Sequence, residues 1–137
     1  MKLEIVREMK LAIEALKERL LTLRGLAQSA TSPVLDDLPK AKPSGKSRVE
    51  SLTVKIVTAE AELESEENEM LTVAGILAEE IYRRVKDFKA ARILIMRYVV
   101  CKSWKTIIAE HNLSAARIFS LHRKGAKMFR SKVGDLL

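Results

Sequence analysis

Along the first thirty residues the apolar positions Val6, Met9, Ile13, Leu16, Leu20, Leu23 and Ala27 recur at alternating intervals of three and four. That period keeps one narrow stripe of a helix against a partner helix. The segment 29–46 then gathers Pro33, Pro39, Pro43 and Gly45 among polar residues. Proline lacks an amide donor and glycine is a poor helix former, so this stretch predicts a flexible connector. A second helix is signalled by Ser47-Arg48-Val49-Glu50, in which the serine oxygen can cap the third helical amide while the glutamate reaches back. Beyond it Val49, Leu52, Ile56, Ala59, Leu63, Glu66, Met70, Val73, Leu77 and Glu80 repeat the three–four stepping. Two such stripes joined by a connector predict an antiparallel helical hairpin or coiled-coil arm over 1–82, with Leu23 opposite Leu52. Because a two-helix arm buries only one stripe per helix, homodimerisation through these helices is expected.

The pattern changes after residue 82. Asp87 is placed to cap a helix over 88–100 in which Phe88, Ala91, Ile95 and Val99 share a face. Ser103 can cap a short helix over 104–111 with Trp104, Ile107 and Ile108 inward. Asn112 tolerates the left-handed conformation of a tight corner, Leu113 fills that corner, and Ser114 caps the last helix. In that helix Ile118, Leu121, Gly125, Ala126 and Phe129 form the inward stripe, with small residues where two helices cross closely. The fold class expected is therefore all-α, with the arm followed by a three-helix helix-turn-helix domain over 83–137 able to close a core by itself.

Charge sharpens the functional reading. The chain carries a net +7, but residues 82–137 hold 14 Lys and Arg against 3 Asp and Glu, whereas 1–81 hold 11 against 15. A concentrated positive field draws a polyanion and releases its counterions, so the C-terminal segment is the part expected to face double-stranded DNA. Opposite the inward stripe, the last helix presents Ala115, Ala116, Arg117, Ser120, Arg123, Lys124 and Lys127. Small residues in its first turn allow close approach to a major groove, Arg117 can donate a bidentate pair to guanine, and the later cations suit phosphates. The turn holding Ser103, Lys105 and Thr106, together with the Ser114 cap, completes the expected DNA-binding set.

Other chemistries find little footing. The single cysteine, Cys101, permits no intrachain disulfide and no thiolate metal site, which fits a reducing cytoplasm. No run approaches the ~20 apolar residues of a membrane span. No glycine-rich phosphate loop is present, and His111 and His122 stand without a cysteine or carboxylate at ligand spacing, so neither an enzyme, a cofactor nor a metal is expected.

Residues 92–128 resemble region 4 of sigma-70-type factors. The matching positions are Met96-Arg97-Tyr98 at the end of the apolar helix, Ile107-Ile108 in the next, Asn112-Leu113-Ser114 at the turn, Ile118 in the recognition helix and Gly125-Ala126 toward its close. With the N-terminal helices and the Pro-rich connector, the chain is similar to small phage and prophage late-transcription regulators of the ArpU and RinA type. Three departures stand out: Ile108 replaces an alanine, Asn112 a glycine, and Ala115 and Ala116 occupy positions where polar residues are commoner. The resemblance implies a sequence-specific transcriptional regulator acting near a promoter, with room for contact with RNA polymerase. The residues themselves also admit an adaptor that meets nucleic acid only through phosphates, and a structural coiled coil whose basic end binds an acidic partner.

Overall fold

A computed structural model describes residues 1–30 and 44–131, the side chains of residue 30 and of residues 44–47 apart. The described residues are helical, without a strand: α1 (Ile5–Ala30), α2 (Ser44–Arg84), α3 (Phe88–Leu94) running into a π-helical turn (Ile95–Val99), α4 (Trp104–Glu110) and α5 (Ala115–Arg130). The core of the connector, 31–43, lies outside the described residues, while its expected flanks belong to α1 and α2. Helix α2 starts at Ser44, so Ser47 is inside it rather than at its cap. By its contacts the chain divides into two compact units, Leu11–Asn68 and a second made of Met1–Lys10 with Glu69–Leu137.

In the first unit α1 and α2 turn their stripes inward as the spacing predicts. Ile13, Leu20 and Ala59 are buried, and Leu16, Leu23, Ala27, Val49, Leu52, Ile56, Leu63 and Glu66 are half-buried. The register differs from Leu23 opposite Leu52. Arg24 pairs with Glu60 at 3.3 Å and Arg19 with Glu62 at 3.6 Å, placing α1 about two turns further along α2 than expected. Stripes of uniform period fit one another at several offsets, and here the charged flanks mark the one adopted.

The second unit has a continuous apolar core. Leu3, Val6, Leu77, Ile81 and Val85 join Ala90, Ala91, Ile93, Leu94, Tyr98, Ile107, Ile118, Leu121, Ala126 and Phe129, and no described polar or charged residue is buried. The packing boundary therefore does not coincide with the change of charge at residue 82: the N-terminal segment and the last turns of α2 are part of this core. Arg84 reinforces the join, donating to the Phe129 carbonyl at 3.2 Å and lying over the Phe129 ring. A cation placed on the carbonyl end of α5 also complements the helix dipole. Glu4 holds Arg130 at 2.9 Å on the same helix end.

Three caps are where the sequence puts them. Asp87 accepts from the amides of Lys89 and Ala90, Ser103 from Thr106, and Ser114 from Arg117. Other local expectations fail. The helix begun at Phe88 leaves α geometry at Ile95, where the Val100 amide bonds to the Ile95 carbonyl at 3.0 Å and that of Lys102 to Met96 at 2.9 Å. This wide turn seats Tyr98 in the core and leaves Val100 exposed. Phe88 is 71% exposed, because the face that packs inward is the one carrying Ala90, Ala91, Ile93 and Leu94. The left-handed residue is Cys101, at φ 63°, and not Asn112; Leu113 is exposed instead of filling the corner. The left-handed Cys101 falls between the end of the π turn and the Ser103 cap of α4.

A fragment spanning 83–137 lacks Leu3, Val6, Leu77 and Ile81, each at most 2% exposed in the full chain. Every such deletion of a buried aliphatic side chain costs about 2–5 kcal/mol. The fragment is expected to show no cooperative thermal transition by circular dichroism, while the full chain does. A sharp transition in the fragment would show that α3–α5 close a sufficient core alone.

Candidate nucleic-acid interface

The basic half is organised around α5. Its inner stripe is Ile118, Leu121, Gly125, Ala126 and Phe129, all buried. At Gly125 the approach to α3 is close enough that an added Cβ would meet Leu94 Cδ1 at 3.1 Å and Ala90 Cβ at 3.2 Å. A helix held so tightly on one side has its opposite side fixed in direction. By the helical period that outer line is Ala116, Ser120, Arg123 and Lys127, with Arg117 and Lys124, seven residues apart, together on one flank. Ala115, Ala116, Arg117, Arg123, Lys124 and Lys127 are exposed, and Ser120 is half-buried.

A ring cluster sets α4 against the other flank of α5. Trp104 meets Phe119 edge-on, with centroids 5.0 Å apart, and His122 edge-on at 4.9 Å. The Arg97 guanidinium lies 4.7 Å from the centre of the Trp104 ring and donates to the Lys102 carbonyl at 3.0 Å, joining the π turn to the start of α4. With two rings and a guanidinium packed on it, the half-buried indole has a packing role. Tyr98 and His122 form a hydrogen bond of 2.6 Å between the phenol oxygen and Nε2. Burial, and then the charges of Arg130, Arg97 and Arg123, push the His122 pKa down against a smaller opposing effect of Glu4. Burial raises that of Tyr98. Both shifts favour a neutral imidazole accepting from a neutral phenol.

Of the expected DNA-facing residues, Ser103 at the cap of α4 and Lys105 and Thr106 in its first turn are exposed, and the remainder are Ser114 and residues of α5. They differ in what they already bind. Ser103 shares a 2.9 Å hydrogen bond with the Thr106 hydroxyl besides capping, and Ser114 caps the Arg117 amide at 3.1 Å. Lys124 is in a 2.7 Å ion pair with Asp87. That ammonium, followed by the Ala90 amide, holds the Asp87 carboxyl below the usual carboxylate range. The side chains of Lys105, Arg117, Arg123 and Lys127 have no polar partner among the described residues.

Two residues of this surface escape a reading of the sequence. Arg130 borders a shallow hollow of about 450 Å³ that also involves His122, Arg123, Lys127 and Ser131, yet it is drawn aside by Glu4, 126 residues away. Asp87 is legible as a helix cap, but its second role, on Lys124, depends on the crossing of α3 and α5. Among the described residues no three His, Cys, Asp or Glu side chains gather as metal ligands, and no helix is long and apolar enough to cross a membrane. No protein-family model matches the chain, and searches of curated proteins and of solved structures give no match.

Because the folded pKa of His122 lies below its ordinary 6.5, the unfolded chain takes up the proton first as pH falls. His122 thus contributes stability that is complete above about pH 6.5 and is lost as pH drops toward its folded value. The melting temperature of the wild type is expected to fall between pH 7 and pH 5, and His122→Phe to flatten that dependence. Equal slopes in the two proteins would show that another group carries it.

Proposed function

We propose that the chain is a DNA-binding transcriptional regulator in which α4 and α5 form a helix-turn-helix and α5 enters the major groove. The observation that carries this reading is the outer side of α5. It is small at its capped N-terminal turn, where Ala115 and Ala116 allow close approach, and cationic beyond, where the side chains of Arg123 and Lys127 have no polar partner among the described residues. Arg117 lies in the first turn, where a bidentate pair with guanine is possible, although it is on the flank of the outer line. Arg123 and Lys127 are placed for phosphates, with Lys105 on α4 as a further anchor. The late-transcription role of the phage regulators and the contact with RNA polymerase rest on the sequence resemblance alone.

The same surface supports a second reading. The two alanines offer no hydrogen-bonding atoms to base edges, which favours an adaptor held on DNA by phosphates without strong sequence preference. Selection of bound duplexes from a random pool separates the two: an enriched motif supports the regulator, and salt-sensitive binding without enrichment supports the adaptor.

Individual substitutions resolve the roles further. Arg117→Ala is expected to weaken a selected site by about 1–3 kcal/mol and random DNA much less. Lys127→Ala is expected to weaken both alike and to reduce the slope of log affinity against log salt by about one. Asp87→Asn keeps a competent helix cap, removes a negative charge and releases Lys124, so it is expected to tighten binding to both DNAs. Filter binding or fluorescence anisotropy over a salt series measures all three. Unchanged affinity in Asp87→Asn would place the Lys124 flank away from the backbone.

A further inference from the structure

We infer that Arg130 is the movable arm of a site for one phosphate of the DNA backbone, shared with Arg123 and Lys127, and that Glu4 is an internal competitor holding this arm back in the free protein. The inference rests on α5 as the DNA-binding helix and adds a regulatory contact to it. Arg123, Lys127 and Arg130 follow one another at intervals of four and three, so Arg130 continues the outer line of α5. The three cations border the same hollow of about 450 Å³, and no carboxylate of the described residues lines it. Arg130 is also a wall of a second hollow, of about 390 Å³, whose other side is built from Met1, Lys2, Leu3 and Glu4. A guanidinium standing between two hollows reaches either one by changing its own side-chain rotamer.

One ion pair keeps the arm on the second side. Glu4 is held in place by its neighbours, since Leu3 and Val6 are 1% and 2% exposed in the core that also takes the inner stripe of α5. The pair itself lies in water: its 2.9 Å contact joins an arginine side chain 60% exposed to a glutamate side chain 43% exposed. Such a pair is weak, so a backbone phosphate, met by Arg123 and Lys127 as well, exchanges with the carboxylate readily. The end of a helix is ordinarily unfavourable to an anion because its last carbonyls point outward. Here two of them are occupied: that of Lys127 accepts from the Ser131 amide at 3.1 Å and hydroxyl at 2.9 Å, and that of Phe129 accepts from Arg84 at 3.2 Å. Lys124 is also paired, but it lies on the flank of α5, whereas Arg130 is on the outer line. Because Glu4 directly precedes α1, the contact ties affinity for DNA to the seating of the N-terminal segment.

Fluorescence anisotropy of the full chain with a random-sequence duplex tests it, in wild type, Glu4→Gln, Arg130→Gln and the double variant. Glu4→Gln is expected to tighten binding about two- to fivefold, as release from an exposed ion pair allows. Arg130→Gln is expected to weaken binding, more in the Glu4→Gln background than in wild type, and there to reduce the slope of log affinity against log salt by about one. Once Arg130 is gone, the gain from Glu4→Gln is expected to shrink below about twofold, which separates release of the arm from the mere removal of a negative charge. An equal gain from Glu4→Gln in both backgrounds overturns the role of Glu4, and Arg130→Gln binding as tightly as its parent in both overturns the phosphate site. Coupling between the two residues that disappears when inorganic phosphate replaces chloride at equal ionic strength overturns the assignment to the DNA backbone in favour of a free phosphate. Duplex binding without any coupling removes this inference and leaves α5 as the DNA-binding helix; no binding by any of the four proteins removes both.

Discussion

The close crossing of α3 and α5 at Gly125 is the contact on which the basic half of the molecule depends. With Ala90 Cβ and Leu94 only 3.1–3.2 Å from where a Cβ on Gly125 would lie, the helices meet nearly backbone to backbone. Ala90 cannot move its Cβ without moving the helix, so the separation leaves little freedom. The crossing aligns Asp87, at the cap of α3, with Lys124, one residue before the glycine. It also turns Ala116, Ser120, Arg123 and Lys127 directly away from the core. The cationic surface and the apolar packing are thus two sides of one helix, and a bulky side chain at Gly125 would disturb both.

The ring cluster gives this arrangement its second support. Helix α4 has only seven residues and buries Ile107 alone, too little to define its angle. Trp104 supplies the missing contact against Phe119 and His122, and Arg97 covers its face. The π turn is what delivers Arg97 and Tyr98 to that place, and the cost is a non-glycine residue, Cys101, in the left-handed region. Such a residue carries of order 1–2 kcal/mol of local strain, which the buried Tyr98 and the cation over Trp104 offset.

Where one residue type and one period decide the outcome, the sequence was a sound guide. All seven stripe positions of α1 and all ten of α2 are buried or half-buried, and Asp87, Ser103 and Ser114 cap the helices they precede. The candidate interface was legible for the same reason, since its residues are the complement of the inward stripe on α5. What failed required knowledge of the partner surface. Phe88 and Ala91 have equal claim to an inward face until the position of α5 is known. The register of two uniform stripes depends on which charges meet, Lys124 was read as a phosphate-facing cation because Asp87 is remote in sequence, and Arg130, held by the remote Glu4, was not singled out. Leu3 and Val6 look like the beginning of the arm, yet they complete the core of the other unit.

The central claim is that the outer side of α5, held in place by the Gly125 crossing, is the surface that meets DNA. Amide chemical-shift mapping of the full chain titrated with a short duplex at moderate salt tests it directly. The account predicts that the largest changes fall on Ala115, Ala116, Ser120, Arg123 and Lys127 with the first turn of α4, while α1 and the α2 stripe are little affected. Changes concentrated on α1 and α2, or none at saturating duplex, would contradict it.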